Sequence, residues 1–178
     1  MRLFIAVDIP DDVRNNLSSF RISDDTATVK WVDEKNIHIT MKFLGDVDEN
    51  KVDAIIESLG NVEISSFRCL VKGFGAFPNE NYAKVLWAGA ESEGKITELH
   101  EMIDSALEHL GFNRERKFHP HLTTGRVRFI KDKERLKQFI TDLKTKDFGN
   151  EFSVDCFSLR KSTLTSNGPV YEDVKTFH

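Results

Sequence analysis

In Ile37-His38-Ile39-Thr40-Met41-Lys42-Phe43, apolar residues alternate strictly with a histidine, a threonine and a lysine. A strand has a period of two. The pattern therefore predicts Ile37, Ile39, Met41 and Phe43 on a core face, with His38, Thr40 and Lys42 together on the other. An imidazole, a hydroxyl and an ammonium side by side suit the grip of a phosphate. His121-Leu122-Thr123 repeats the His-x-Thr spacing. Two histidines on opposite sides of a phosphorus suit acid–base phosphodiester chemistry, because the attacking oxygen must lose a proton and the leaving oxygen must gain one. Histidine titrates near neutrality, so a neutral and a protonated imidazole can coexist there. The threonines, with Lys42, would hold the nonbridging oxygens where charge accumulates. Nothing in this scheme needs a metal or a cofactor.

One His-x-Thr on a strand occurs by chance in many chains, and the weight lies in the second copy at a matching offset. A rival use of the second copy is a metal site, since His119 shares parity with His121 and a His-x-His strand can chelate zinc. No Cys, Asp or Glu stands beside it at ligand spacing, so His119 reads as a supporting residue. His100, His109 and His178 read as lying on helix surfaces or at the terminus, with no role. Cys69 and Cys156 are isolated in apolar, strand-like stretches and read as small core residues, fitting neither a zinc site nor a disulfide framework.

The elements that would position these residues fall into two similar halves. Leu3, Ile5, Val7 and Ile9 alternate as a strand with one buried face, and Pro10-Asp11-Asp12 suits a helix start, with Val13, Leu17 and Phe20 as its stripe. Strands are predicted over 29–32, 37–43 and 67–74, and a helix over 48–59 with Gly60 as its stop. The second half repeats the order, with strands over 84–90, 118–123, 152–159 and 170–177. Its helices are marked by Ile96, Leu99, Ile103 and Leu107, and by Leu136, Phe139, Ile140 and Leu143. Leu3-Phe4-Ile5 falls on Leu86-Trp87-Ala88, and His38-Ile39-Thr40 on His121-Leu122-Thr123, both at a shift of 83. Val52, Ile55, Ile56 and Leu59 fall on Leu136, Phe139, Ile140 and Leu143 at a shift of 84. A repeat this long suggests two related lobes facing each other across a groove. The reading is one domain over 1–178, with an internal pseudo-repeat of about 1–78 and about 82–178.

At 178 residues, with 39% apolar and 30% charged residues, the chain is long enough for one sizeable core and is not disordered throughout. No apolar run approaches the length needed to span a bilayer, and the run that opens the chain is too short for a secretory signal, so a cytoplasmic location is expected. The net charge of −4 argues against coating of long nucleic acid. From Arg114 to Lys137, however, nine Lys/Arg stand against three acids. That stretch is either a solvated face or a basic rim around an anionic substrate.

The two signatures resemble those of the two-histidine (2H) phosphoesterase superfamily, and of its RNA 2′,3′-cyclic phosphodiesterase branch, also called 2′-5′ RNA ligases, in its archaeal form. The likeness covers nearly the whole chain. It runs from Arg2-Leu3-Phe4-Ile5-Ala6-Val7-Asp8 through Lys42-Phe43-Leu44-Gly45, Gly73-Phe74-Gly75-Ala76-Phe77-Pro78 and Val85-Leu86-Trp87-Ala88-Gly89. It continues through His119-Pro120-His121 to 162–171, which ends in Gly168-Pro169-Val170-Tyr171. The resemblance implies an α+β, bilobal fold of two pseudo-symmetric lobes, each with a mostly antiparallel sheet and two helices. It implies His38 as proton donor to the leaving 3′ oxygen, His121 as proton acceptor from water, and Thr40, Thr123 and Arg126 on the phosphate. Strand parity puts Arg126 opposite His121, so it reaches the groove only where the strand ends or bulges near Gly125. Thr124 stands where the family usually has a hydrophobic residue. The implied substrate is an RNA end bearing a 2′,3′-cyclic phosphate, tRNA halves among the candidates, opened to a 2′-phosphomonoester by a monomer without cofactor or metal. Reverse-sense 2′-5′ joining is a family property. A small cyclic nucleotide, an ADP-ribose cyclic phosphate or a noncatalytic RNA-end module are the competing readings.

Overall fold

The computed structural model describes residues 1–178. Its strands are β1 (Arg2–Val7), β2 (Ala27–Trp31), β3 (Ile39–Asp46), β4 (Phe67–Phe77), β5 (Val85–Glu91), β6 (His121–Ile130), β7 (Phe152–Val154), β8 (Phe157–Thr165) and β9 (Gly168–Phe177). Its helices are α1 (Asp11–Ser19), α2 (Val52–Gly60), α3 (Lys95–Glu108) and α4 (Lys133–Asp142). The strands form one antiparallel sheet in the order β7-β4-β5-β6-β3-β1-β8-β9, with β2 also paired to β6. The sheet curls into two lobes that meet where β3 pairs with β6 through Ile39 and Leu122. No helix is long and apolar enough to cross a membrane.

The two residues of that meeting pair are themselves 83 positions apart. At the same shift, β1 corresponds to β5, β3 to β6 and β4 to the β7–β8 segment. The strand order is therefore a palindrome about the Ile39–Leu122 rung: β4-β5-β6 on one side, β8-β1-β3 on the other. The lobes are not the two halves of the chain taken separately, because each borrows a strand from the other. β8, from the second half, pairs with β1, while β4, from the first, pairs with β5. The predicted strand over 152–159 is accordingly broken. β7 lies beside β4 in one lobe and β8 beside β1 in the other.

Alternation makes the core. Leu3, Ile5 and Val7 of β1, Ile39 of β3 and Leu122 of β6 are all essentially inaccessible and belong to one continuous cluster. Helices cover this face, with α2 and α3 on the β3 lobe and α4 against β4. Apolar stripes on both sides of such a layer pairing remove the core from water, which is the main favourable contribution to folding. Two sequence expectations are corrected. Cys69 is buried, but Cys156 is only half-buried, because it sits in the turn between β7 and β8 and not inside a strand. His100, read as a surface residue of its helix, is buried against β3 and Phe118.

Candidate active site

The site grows from the single rung between the lobes. Cross-strand partners share a face of a sheet. Ile39 and Leu122 point into the core, so their neighbours His38, Thr40, His121 and Thr123 project from the opposite face. In antiparallel register His38 stands across from Thr123, and Thr40 across from His121. The rung thus brings together all four residues of the His-x-Thr pairs, which are far apart in sequence.

The strands on either side complete the face. Phe4 of β1 stacks on the His38 ring at 5.1 Å, and Tyr171 of β9 meets it edge-on at 5.5 Å. In the other lobe, Phe77 meets His121 edge-on at 5.0 Å, and Trp87 lies 6.4 Å away. Phe4 and Trp87 are 83 apart. Their parity is opposite to that of the core residues beside them, and the repeat combined with parity could have found both. Tyr171 has no counterpart in the first copy of the repeat; it closes the Gly168-Pro169-Val170-Tyr171 motif of the family likeness, to which no role was assigned.

Two bulges decide what else reaches the groove. In the β1–β3 pairing, Ile5 faces Lys42 and Ala6 faces Thr40, so Met41 is an extra residue. In the β5–β6 pairing, Leu86 faces Gly125 and Trp87 faces Thr123, so Thr124 is the extra residue. Met41 and Thr124 are again 83 apart. A bulge reverses side-chain parity downstream of it. Lys42 was expected beside His38 and Thr40 and is corrected: it turns to the helix side, is 4% exposed, and forms a buried ion pair with Asp104 of α3. Its ammonium also donates to the Asn113 carbonyl at 2.8 Å. Phe43, expected in the core, instead takes the groove face, with 68% exposure and its ring 6.2 Å from Phe4. The bulge at Thr124 acts in the opposite sense on the expectation for Arg126. It puts Arg126 on the face of His121 and Thr123, exposed and near enough that its charge favours the Tyr171 phenolate. The Thr124 hydroxyl donates to the Leu86 carbonyl at 3.2 Å, so a polar residue here satisfies a backbone acceptor within the bulge.

The two imidazoles differ. His121 Nδ1 donates to the His119 carbonyl at 2.6 Å, which leaves Nε2 as the free lone pair of the neutral ring. Burial pulls its pKa below the usual value, with the His119 carbonyl opposing. His38 Nε2 lies 3.0 Å from Thr40 Oγ1. Its Nδ1 is buried without an aligned hydrogen bond, although the nearby Asn36 carbonyl favours the protonated ring. Burial, then the Arg160 charge, bring the His38 pKa down to about 4, with Asp8 opposing and Arg14 adding to the fall. Those three charges form one network. Arg160 bridges Asp8 and Asp173, Arg14 pairs with Asp8 at 3.0 Å, and Arg14 Nε donates to the Ile37 carbonyl beside His38. Asp155, Cys156 and His178, where β8 begins and β9 ends, come within chelating reach of one another.

Comparisons with known proteins bear on the family and the fold. The LigT-like phosphoesterase family model matches residues 7–87 and 89–171. A Methanocaldococcus jannaschii protein named RNA 2′,3′-cyclic phosphodiesterase is 43% identical over 98% of this chain and 99% of its own. A Thermotoga maritima protein of the same name is 38% identical over 97% and 92%. Among solved structures, the Thermus thermophilus protein TT0787 superposes with a TM-score of 0.81 at 29% identity, covering 99% of this chain and 97% of that one. Escherichia coli LigT complexed with 3′-AMP has the same fold, with a TM-score of 0.77 at 23% identity over 99% and 96%.

Proposed function

Because the chain belongs to the LigT-like phosphoesterase family, the two-histidine cyclic phosphodiesterases, we propose that it opens RNA 2′,3′-cyclic phosphates to 2′-phosphomonoesters by metal-independent acid–base catalysis. The observation that supports this reading is the Ile39–Leu122 rung, whose flanking residues are the two imidazoles and two hydroxyls of the His-x-Thr pairs. His121 Nε2 takes a proton from water as the water oxygen attacks phosphorus. The bond to the 3′ oxygen breaks, and His38 Nε2 gives that oxygen its proton. The phosphate stays on the 2′ oxygen. Thr40, Thr123 and Arg126 face the nonbridging oxygens, where preorganised donors act most strongly on the developing charge. Each proton transfer by a placed imidazole contributes roughly 10²–10⁴-fold.

Both imidazoles are neutral in the free groove at pH 7, since burial lowers both pKa values. A cyclic phosphodiester is a monoanion, and its charge beside His38 favours the protonated ring that the reaction needs. Phe43, exposed on the groove face, offers a ring on which a base of a single strand can stack. A 5′-hydroxyl deprotonated by His121 in place of water would join ends through a 2′-5′ linkage by the same displacement.

The test is product analysis on a short RNA carrying a 2′,3′-cyclic phosphate, in EDTA, beside a cyclic mononucleotide. The expected product is the 2′-phosphomonoester only, formed at an undiminished rate in chelator and faster from the oligonucleotide. A 3′-phosphomonoester would reverse the assigned leaving oxygen. Loss in EDTA with recovery on adding zinc or magnesium would replace the metal-free mechanism.

A further inference from the structure

The geometry points to Asp104 as the positioning residue that ties the two catalytic histidines to each other through the core. This rests on the function proposed above and adds a residue that neither His-x-Thr motif contains. Asp104 lies on α3 and is 2% exposed. One carboxylate oxygen accepts from Lys42, next to the bulged Met41 of β3. The other accepts from the backbone N–H of Glu115 at 2.7 Å, in the segment that leads to β6.

Two further contacts join the same parts. Lys42 itself donates to the Asn113 carbonyl of that segment. His100, one turn before Asp104 on α3, donates from Nδ1 to the Met41 carbonyl at 2.8 Å. Its ring stacks on Phe118 at 3.9 Å and an interplanar angle of 5°. Its Nε2 lies 3.4 Å from Asp104, with no aligned hydrogen bond. On one side, then, α3 grips the bulge that follows His38 and Thr40. On the other it grips the segment that ends, three residues after Phe118, at His121. The strand carrying His38 and Thr40 and the segment entering His121 thus share contacts to one helix.

A buried ion pair is weak ground for a claim about stability, because apolar replacement of both partners is often neutral or stabilising. That fact supplies the test. If the pair serves only to hold the fold, Lys42→Met with Asp104→Leu leaves both fold and turnover intact. If it positions the histidines, the fold survives and turnover falls, since a displacement on the order of 1 Å can cost about 10²-fold in rate. The measurements are thermal unfolding, kcat and KM on a 2′,3′-cyclic phosphate, and the imidazole nitrogen resonances of His38 and His121. We expect a folded double variant with kcat reduced about 10- to 100-fold, KM within about threefold, and both imidazole signals shifted. A folded variant with parental kcat and unmoved resonances would overturn the assignment.

If that double variant fails to fold, Lys42→Met with Asp104→Asn keeps an acceptor for the Glu115 N–H and leaves no buried charge unpaired, but removes the link from Asp104 to β3. A loss of about tenfold in kcat is expected there, and parental kcat with unmoved resonances overturns the proposal. If the unsubstituted protein opens no cyclic phosphate, the proposed function fails. The resonances still decide whether Asp104 holds the two rings.

Discussion

At the scale of single residues, the two imidazoles proposed to be catalytic are equivalent in sequence and unlike in environment. His38 is enclosed by Phe4, Tyr171 and two guanidinium groups, whereas His121 is anchored through Nδ1 to a carbonyl and is free at Nε2. The enclosure has a consequence for stability. The His38 pKa is about 4 in the folded chain against the usual 6.5. Between those values the unfolded chain binds a proton that the folded chain refuses, so stability falls as pH drops through that window. Replacing His38 by Gln removes this term. Urea unfolding followed from pH 6.5 to pH 4 should therefore show the unsubstituted protein losing more stability than His38→Gln, by about 3 kcal/mol. Parallel pH profiles would mean that the ring is not shielded as described. The same enclosure means that substrate charge must raise the His38 pKa, so the alkaline limb of kcat should lie at higher pH than that of kcat/KM.

At the scale of elements, the bulges in β3 and β6 decide which residues enter the groove. Gly125 follows the second bulge, and a Cβ placed there would lie 2.6 Å from Val29 Cγ1 and 3.0 Å from the Trp31 ring, both in or beside β2. Gly125→Ala should therefore cost about 1–3 kcal/mol by forcing β2 away from β6. It should also move Arg126, so KM for a phosphate substrate should rise. An alanine variant with parental stability and KM would mean that β2 yields without disturbing the bulge. The sequence was informative where one physical rule was sufficient. Period-two alternation located β1 and β3, and the 83-residue shift paired β1 with β5 and His38 with His121. It misled where an extra residue reversed the alternation. Lys42 was assigned to the groove and Phe43 to the core because strict parity was carried past Met41. Register between strands is a tertiary property; Gly125 marked the bulge in β6, but no such residue marks the one at Met41. The exchange of β4 and β8 between lobes, and the approach of α3 that buries His100, were hidden for the same reason.

At the scale of the whole molecule, a palindromic sheet brings two like strands together at one rung, and the substrate proposed for them has unlike ends. Symmetry builds the face, and in the proposed mechanism local surroundings divide the labour. The Asp8–Arg14–Arg160 network lies on the His38 side, and Arg126 lies on the His121 strand. The central claim is that His121 is the base and His38 the acid. A base is needed to activate water whatever group departs, whereas an acid is needed only for a poor leaving group. The direct measurement compares His38→Ala and His121→Ala, both checked for folding, on an RNA 2′,3′-cyclic phosphate and on an activated aryl phosphodiester whose nitrophenolate departs without a proton. His121→Ala should lose both activities. His38→Ala should lose the first, by roughly 10²–10⁴-fold, and keep measurable turnover of the second. Rescue by the aryl leaving group in His121→Ala, and not in His38→Ala, would contradict the account.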